Sequence, residues 1–222
     1  ESFQVNIRPL PLLKKEVLVD AIDLRGVKAN TGNLIEGMEI KGTLGKLYAK
    51  ADRIDLGKEI ARLNKIDLSD TAITLLMNDT TTNKDTTSTA VNWKLMLDQI
   101  DLDRVAFAMQ MPGDSLRLST YIDKAGLTDG IVDLGSARYS ASQFLLSGSS
   151  LSYDGSYSDP APGFDPAHIA LNDVNIRIDS LLYGGRDISA RIKKFSANDR
   201  SGLTLSSLTG DISSDSTTIQ VP

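Results

Sequence analysis

The chain has 222 residues, of which 41% are hydrophobic, 24% charged and 5% aromatic, with no cysteine and a formal net charge of -5. Such a composition supports a folded chain with an aliphatic interior. It excludes disulfides, zinc–thiolate sites and thiol nucleophiles, and its acidity speaks against a nucleic-acid face, which needs basic residues to neutralise phosphates. No run of 18 or more apolar residues is present to cross a membrane as a helix.

Along the chain, the apolar residues recur with a period of two. Thr31-Gly32-Asn33 is the first strong turn signal. Lys58 to Leu63 reads as a short helical turn. Residues 78–90 (NDTTTNKDTTSTA) are almost wholly polar and read as a solvated, mobile loop. Trp93, Leu95 and Leu97 open an apolar alternation; Val105, Phe107, Met109 and Met111 then alternate with Ala106, Ala108 and Gln110. A turn at Pro112-Gly113-Asp114 leads to Leu116 and Leu118. Asp129-Gly130 is a further turn signal, and Ser142 to Leu146 a second candidate helical turn. Asp154-Gly155 opens a loop that, over 152–168, carries Pro160, Pro162 and Pro166 and is expected to be mobile. Ile176 and Ile178, then Ile188, Ala190 and Ile192, return to strict alternation, with turn signals at Gly184-Gly185 and Ser201-Gly202. Both long loops are expected within one repetitive β-region, 1–222, itself a piece of a longer protein.

One short pattern repeats: Ile22-Asp23-Leu24-Arg25-Gly26-Val27, Ile66-Asp67-Leu68-Ser69-Asp70-Thr71, Ile100-Asp101-Leu102-Asp103-Arg104-Val105, Val132-Asp133-Leu134-Gly135-Ser136-Ala137, Ile169-Ala170-Leu171-Asn172-Asp173-Val174, and more loosely Leu203-Thr204-Leu205-Ser206-Ser207-Leu208. A period in this range marks a repetitive architecture. From Leu to the next inward position is three residues, an odd step that would flip an unbroken strand to its other face. One extra residue at that point, a bulge, keeps both halves facing inward and bends the sheet. Gly26 and Gly135 occupy the step. The fold class expected is therefore all-β: an elongated, curved, mostly antiparallel sheet forming a groove or "taco", with few short helical turns. An ordinary β-sandwich with bends is the alternative.

Residues that could carry chemistry are sparse. His168 is the sole histidine and is expected at the surface or as a cap rather than as a catalyst. There is no G-x-S-x-G, G-x-G-x-x-G or Walker pattern. Asp101 with Asp103, and Asp79 with Asp85, are the acidic pairs a cation could use, yet neither has the glycine and terminal glutamate of a calcium loop. The Asp of each Ile-Asp-Leu (Asp23, Asp55, Asp67, Asp101), like Asp133 in Val-Asp-Leu, should point to water. No enzyme activity, metal or cofactor is expected.

Several stretches resemble a known family. Residues 3–45 (FQVNIRPLPLLKKEVLVDAIDLRGVKANTGNLIEGMEIKGTLG), 68–79 (LSDTAITLLMND), 163–173 (GFDPAHIALND) and 178–222, with IDSLLYGGRDI, RSGLTLSSLTGDI and DSTTIQVP, are similar to the TamB-like translocation and assembly proteins of Bacteroidetes-type bacteria, in their membrane-proximal section. The resemblance implies a periplasmic β-structure, anchored to the inner membrane through an N-terminal helix outside this sequence. It implies carriage of phospholipid or another acyl-chain ligand along an apolar groove, as in AsmA-like and chorein-type bridges. It also implies support of outer-membrane protein assembly with an Omp85-type barrel, bound through a part not present here. The family brings no catalytic residues. On the strand pattern, the groove-lining candidates are Ile40, Leu44, Leu95, Leu97, Val105, Phe107, Met109, Leu171, Ile176, Ile178, Leu203 and Leu205. A structural scaffold, or a secreted β-sandwich binding module without a lipid conduit, is the competing expectation.

Overall fold

A computed structural model describes residues 2–8, 16–32, 34, 37–77, 92–184, 187–214 and 219–220. The described residues form one sheet of eleven strands that follow each other across its width in chain order. They are β1 (Ser2–Arg8), β2 (Glu16–Asn30), β3 (Met38–Asp55), β4 (Ile60–Met77), β5 (Lys94–Met111), β6 (Leu116–Asp133), β7 (Arg138–Asp154), β8 (His168–Gly184), β9 (Asp187–Asp199), β10 (Thr204–Ser214) and β11 (Ile219–Gln220). Neighbours are antiparallel throughout, except that β4 and β5 run parallel. Among the described residues the one helical element is a 3-10 turn at Pro112–Asp114, where the sequence places a turn.

The two helical turns expected from sequence are strand instead. Ser142 to Leu146 lies inside β7, and Ile60 to Leu63 opens β4 after a turn through Lys58 and Glu59. In both, pairing to two neighbouring strands overrides a short local preference. Residues 78–90 lie outside the described residues. Ser152 to Asp154 belong to β7 and His168 to β8, so the loop between them is confined to 155–167.

Strands of 17 or 18 residues are long for a sheet, and each is broken into panels. Residues with left-handed backbone interrupt them along a line across the sheet: Gly26 (φ 65°) in β2, Asp70 (52°) in β4, Arg104 (52°) in β5, Gly148 (59°) in β7 and Asp173 (50°) in β8. In β2, β4, β5 and β8 this is the fifth residue of the repeat, within the odd step. A second line carries Asp129 (φ 49°) in β6 and Ser180 (62°) in β8, with register shifts at Ala51 in β3 and between Asp179 and Leu182 in β8. These are bulge seams, and bulged strands bend.

The geometry at Gly130 shows how a seam works. A Cβ added there would lie 2.6 Å from Leu127 Cδ2 and 3.3 Å from Leu97 Cβ. Positions 127 and 130, three apart, therefore face the same side, because Asp129 takes up the extra residue. Asp129-Gly130 is thus a bulge inside β6 rather than a turn between strands. Buried side chains collect at the seams: Thr71, Val105, Ser149, Val174 and Ala197 at the first, Leu97 and Ala141 at the second.

Between the seams, the Ile and Leu of the repeat line up across strands. One row runs Leu24, Leu47, Leu68, Leu102, Ala125, Leu146, Ile176, Phe195, Leu208; its companion runs Ile22, Ala49, Ile66, Ile100, Leu127, Phe144, Ile178, Ile192, Gly210. The repeat copy at Val132 does not contribute, because Leu134 to Ala137 form the β6–β7 turn, where the Ser136 N–H donates to Asp133 Oδ1 at 3.0 Å. In β8 the copy's Ile169 and Leu171 fall on the far side of the first seam, since that strand runs in the opposite direction to β2, β4 and β5.

Gly45 is required by the first seam. A Cβ there would meet Asp70 O at 2.5 Å and Asp70 Cβ at 2.6 Å, both belonging to the left-handed residue of the next strand. Gly45→Ala should lower unfolding stability by about 1–3 kcal/mol. Gly210→Ala, with nothing within 4 Å of the added Cβ, should stay within about 0.5 kcal/mol. Chemical denaturation of both variants checks this, and equal midpoints would remove the seam contact from the explanation.

Candidate functional site

The sheet's most extensive feature is its apolar face. The two rows between the seams span nine strands, which at about 4.8 Å per strand is about 40 Å. The residues between them point to the other side and are mostly polar: Asp23, Tyr48, Asp67, Asp101, Gly126, Leu145, Arg177, Lys194. On that side Arg25 pairs with Asp23 at 2.9 Å, Lys65 with Asp67 at 3.2 Å, and Gln99 donates to Asp101 Oδ2 at 2.6 Å. Asp55 departs from the expectation for its motif. It is buried, and its carboxylate accepts the Gly57 and Lys58 N–H groups at 3.1 and 3.0 Å, closing the β3–β4 turn.

Among the described residues no second layer covers the apolar face, so the strands' large side chains remain only half-buried. Among the described residues the most completely buried is Ser149, a small polar one. Aromatic rings extend the face beyond the second seam, where Tyr139 and Tyr183 sit directly opposite each other with ring centroids 5.8 Å apart.

The twelve lining candidates divide among three panels. Ile40, Leu44, Val105, Phe107, Met109 and Leu171 stand beyond the first seam, where Phe107 pairs with Ile73 and Thr120, and Met109 with Leu75 and Leu118. Ile176 and Ile178 belong to the central rows. Leu95 and Leu97 lie at and beyond the second seam. Leu205 is on β10 opposite Ala197. Leu203 precedes β10 in the turn and is 58% exposed. Most residues of the central rows, including Leu68, Leu102, Leu127, Phe144 and Leu146, were not among the candidates. Their signal was present, as the Ile-x-Leu repeat itself for Leu68 and Leu102 and as plain alternation for the others.

Two shallow hollows, about 310 and 280 Å³, open on the other face of the outer panel. Each strand gives the larger one three consecutive residues, and the outer two are mostly small: Ala72 and Thr74, Ala106 and Ala108, Ser150 and Ser152. Phe107 and Leu171 supply only its floor.

Of the metal candidates, Asp101 and Asp103 have side-chain partners. Asp103 pairs with Arg104 at 2.6 Å, Asp79 and Asp85 lie outside the described residues, and no group of three His, Asp or Glu side chains among the described residues could hold an ion. Arg104 also reaches Asp70 at 2.7 and 3.2 Å across the parallel pair, and this contact holds the Asp70 carboxyl below its ordinary value.

His168 is neither exposed nor a cap. It is 3% exposed, paired in register with Asp154 at the last rung of β7 and β8. Its Nδ1 lies 3.0 Å from Asp154 Oδ1 and its Nε2 3.3 Å from Ser158 Oγ. Asp165 ties the same loop, accepting the Ala161 and Ala167 N–H groups at 2.9 and 3.0 Å, and Tyr157 OH donates to Pro112 O at 3.2 Å. Arg117 stands 5.5 Å over the Tyr157 ring and 3.8 Å from Asp154.

No protein-family model matches the chain, and no curated protein matches it in sequence.

Acid should loosen this structure. The N–H groups of Ala161 and Ala167 hold Asp165 below its ordinary value of 3.8, Ser201 does the same for Asp199, and Arg25 for Asp23. A carboxyl whose folded value is depressed contributes stability above its unfolded value and loses it as pH falls through the folded one. The melting temperature should be flat near neutrality and fall below about pH 4. Asp165→Asn should cost stability at pH 6 and little at pH 3. Unchanged melting between pH 6 and pH 3 would contradict this reading.

Proposed function

We propose that the chain carries acyl-chain lipids, phospholipid foremost, along the apolar face of its sheet. One observation carries the reading: a two-row aliphatic stripe, continuous over nine strands, on a face that no second layer covers among the described residues. A sheet with one apolar face must bury it against something, and large uncovered apolar surfaces mark binding sites. The stripe runs across the strands, perpendicular to the chain direction. A lipid can therefore move from strand to strand past near-identical neighbours, with no site deep enough to trap it. Each buried CH₂ contributes about 0.8 kcal/mol, so the acyl chains supply the affinity and no chemical step is needed.

The resemblance to TamB-like proteins supports a periplasmic setting, inner-membrane anchorage, and cooperation with an Omp85-type barrel through parts outside this sequence. In this reading the stripe is one length of a bridge toward the outer membrane. A scaffold for outer-membrane protein assembly, with the same strands and no lipid, is the competing reading.

Lipid extraction of the purified chain, read by mass spectrometry, separates the two. Phospholipid should co-purify. Ile176→Asp and Phe107→Asp, which set a charge on the apolar face, should reduce it at least about tenfold, since burying an unpaired carboxylate outweighs several CH₂ contacts. Arg177→Asp, one residue away and facing the other side, should retain it. A lipid-free parent protein, or equal retention in Ile176→Asp, would favour the scaffold.

A further inference from the structure

A second feature lies apart from the stripe, at the end of the β7–β8 hairpin. Three side chains there are connected as carboxylate, imidazole and hydroxyl. Asp154 Oδ1 is 3.0 Å from His168 Nδ1, and His168 Nε2 is 3.3 Å from Ser158 Oγ. An ionised carboxylate only accepts, so Nδ1 carries the proton it donates to Asp154, and the lone pair of Nε2 is aimed at the Ser158 hydroxyl. This is the connectivity of an activated nucleophile: hydroxyl and base within hydrogen-bond reach, and the base oriented by a third group.

The setting suits that role. The imidazole is 3% exposed and fixed in place, because His168 is a strand residue in register with Asp154. The His168 backbone N–H donates to Asp165 O at 3.1 Å. Ser158, by contrast, is exposed. It sits on a short segment held by Ser156, whose Oγ accepts the Ser158 N–H at 3.1 Å. Asp154 also lines the smaller hollow, together with Ser152, Arg117 and Gln110. Arg117, held between Asp154 and the Tyr157 ring, brings a cation to the same corner.

We propose that Ser158 is an acyl-accepting nucleophile, with His168 as its general base and Asp154 as the positioning residue, acting on esters of short acyl chains. In the forward step Ser158 Oγ bonds to the ester carbonyl carbon while its proton passes to His168 Nε2. The carbon–alkoxy bond then breaks, and the departing alcohol takes that proton. Water repeats the sequence: it gives a proton to His168, attacks the acyl carbon, and releases the acid with Ser158 restored. The reaction is redox-neutral and needs no cofactor. It is independent of lipid carriage, since the stripe and this corner share no residue.

A fluorophosphonate probe tests it on the intact chain, read by whole-protein mass and peptide mapping, with p-nitrophenyl acetate as the turnover substrate. One adduct is expected, on Ser158. It should vanish in Ser158→Ala and persist in Ser206→Ala, an exposed serine on β10; neither change removes a buried side chain. In His168→Gln, labelling should slow about 100-fold, the contribution of a general base. No adduct on Ser158, or labelling in His168→Gln within about twofold of the parent, would overturn the proposal and leave the three residues as a fastening for the 155–167 loop. Lipid co-purification is unaffected by either result.

Discussion

The fold turns on one geometric constraint. Side chains on a strand alternate strictly, so two apolar segments separated by an odd step cannot share a face unless the backbone absorbs a residue between them. Here left-handed residues absorb it, strand after strand, and align into seams. Gly26 and Gly148 do so at small steric cost. Asp70, Arg104 and Asp173 do so as L-residues in a conformation that disfavours most side chains. Such strain is retained only where neighbours enforce it, and the close approach of Gly45 to Asp70 shows how tightly the adjacent strand is fitted to the seam.

From that constraint follows a sheet that is bent without being closed. Repeated bulges keep Leu102 and Val105, or Leu127 and Gly130, on one side although each pair is three apart. The apolar face then stays continuous through the bend. Among the described residues no second layer covers this face, so little is buried outright and the aliphatic rows remain half-covered. An uncovered aliphatic surface about 40 Å long is costly in water. The proposed acyl-chain binding would account for its persistence across nine strands, with charges kept to the opposite side.

Much of this was legible in the residues. The Ile-x-Leu repeat and its odd step called for a bulge, and the bulge lies within that step in β2, β4, β5 and β8. What misled was the reading of glycine. Gly135 sits in a hairpin turn, whereas at the equivalent points of β4 and β5 the left-handed residues are Asp70 and Arg104, which no propensity singles out. Asp129-Gly130 has turn chemistry but serves inside a strand, because both flanking segments find partners in β5 and β7. The parallel pairing of β4 and β5 was not legible, since alternation is the same in either direction. Nor was the environment of His168: Asp154 and Ser158 are 14 and 10 residues away, and only hairpin register brings them to the ring.

The most direct test reads the two faces of a single strand. A photoreactive phenylalanine placed in turn at positions 144, 145 and 146 of β7 probes the stripe, the opposite face and the stripe again, with apolar residues native at all three. Lipid crosslinks at 144 and 146, and none at 145, are what carriage on this face requires. Crosslinks of equal yield at all three positions, or at 145 alone, would contradict it.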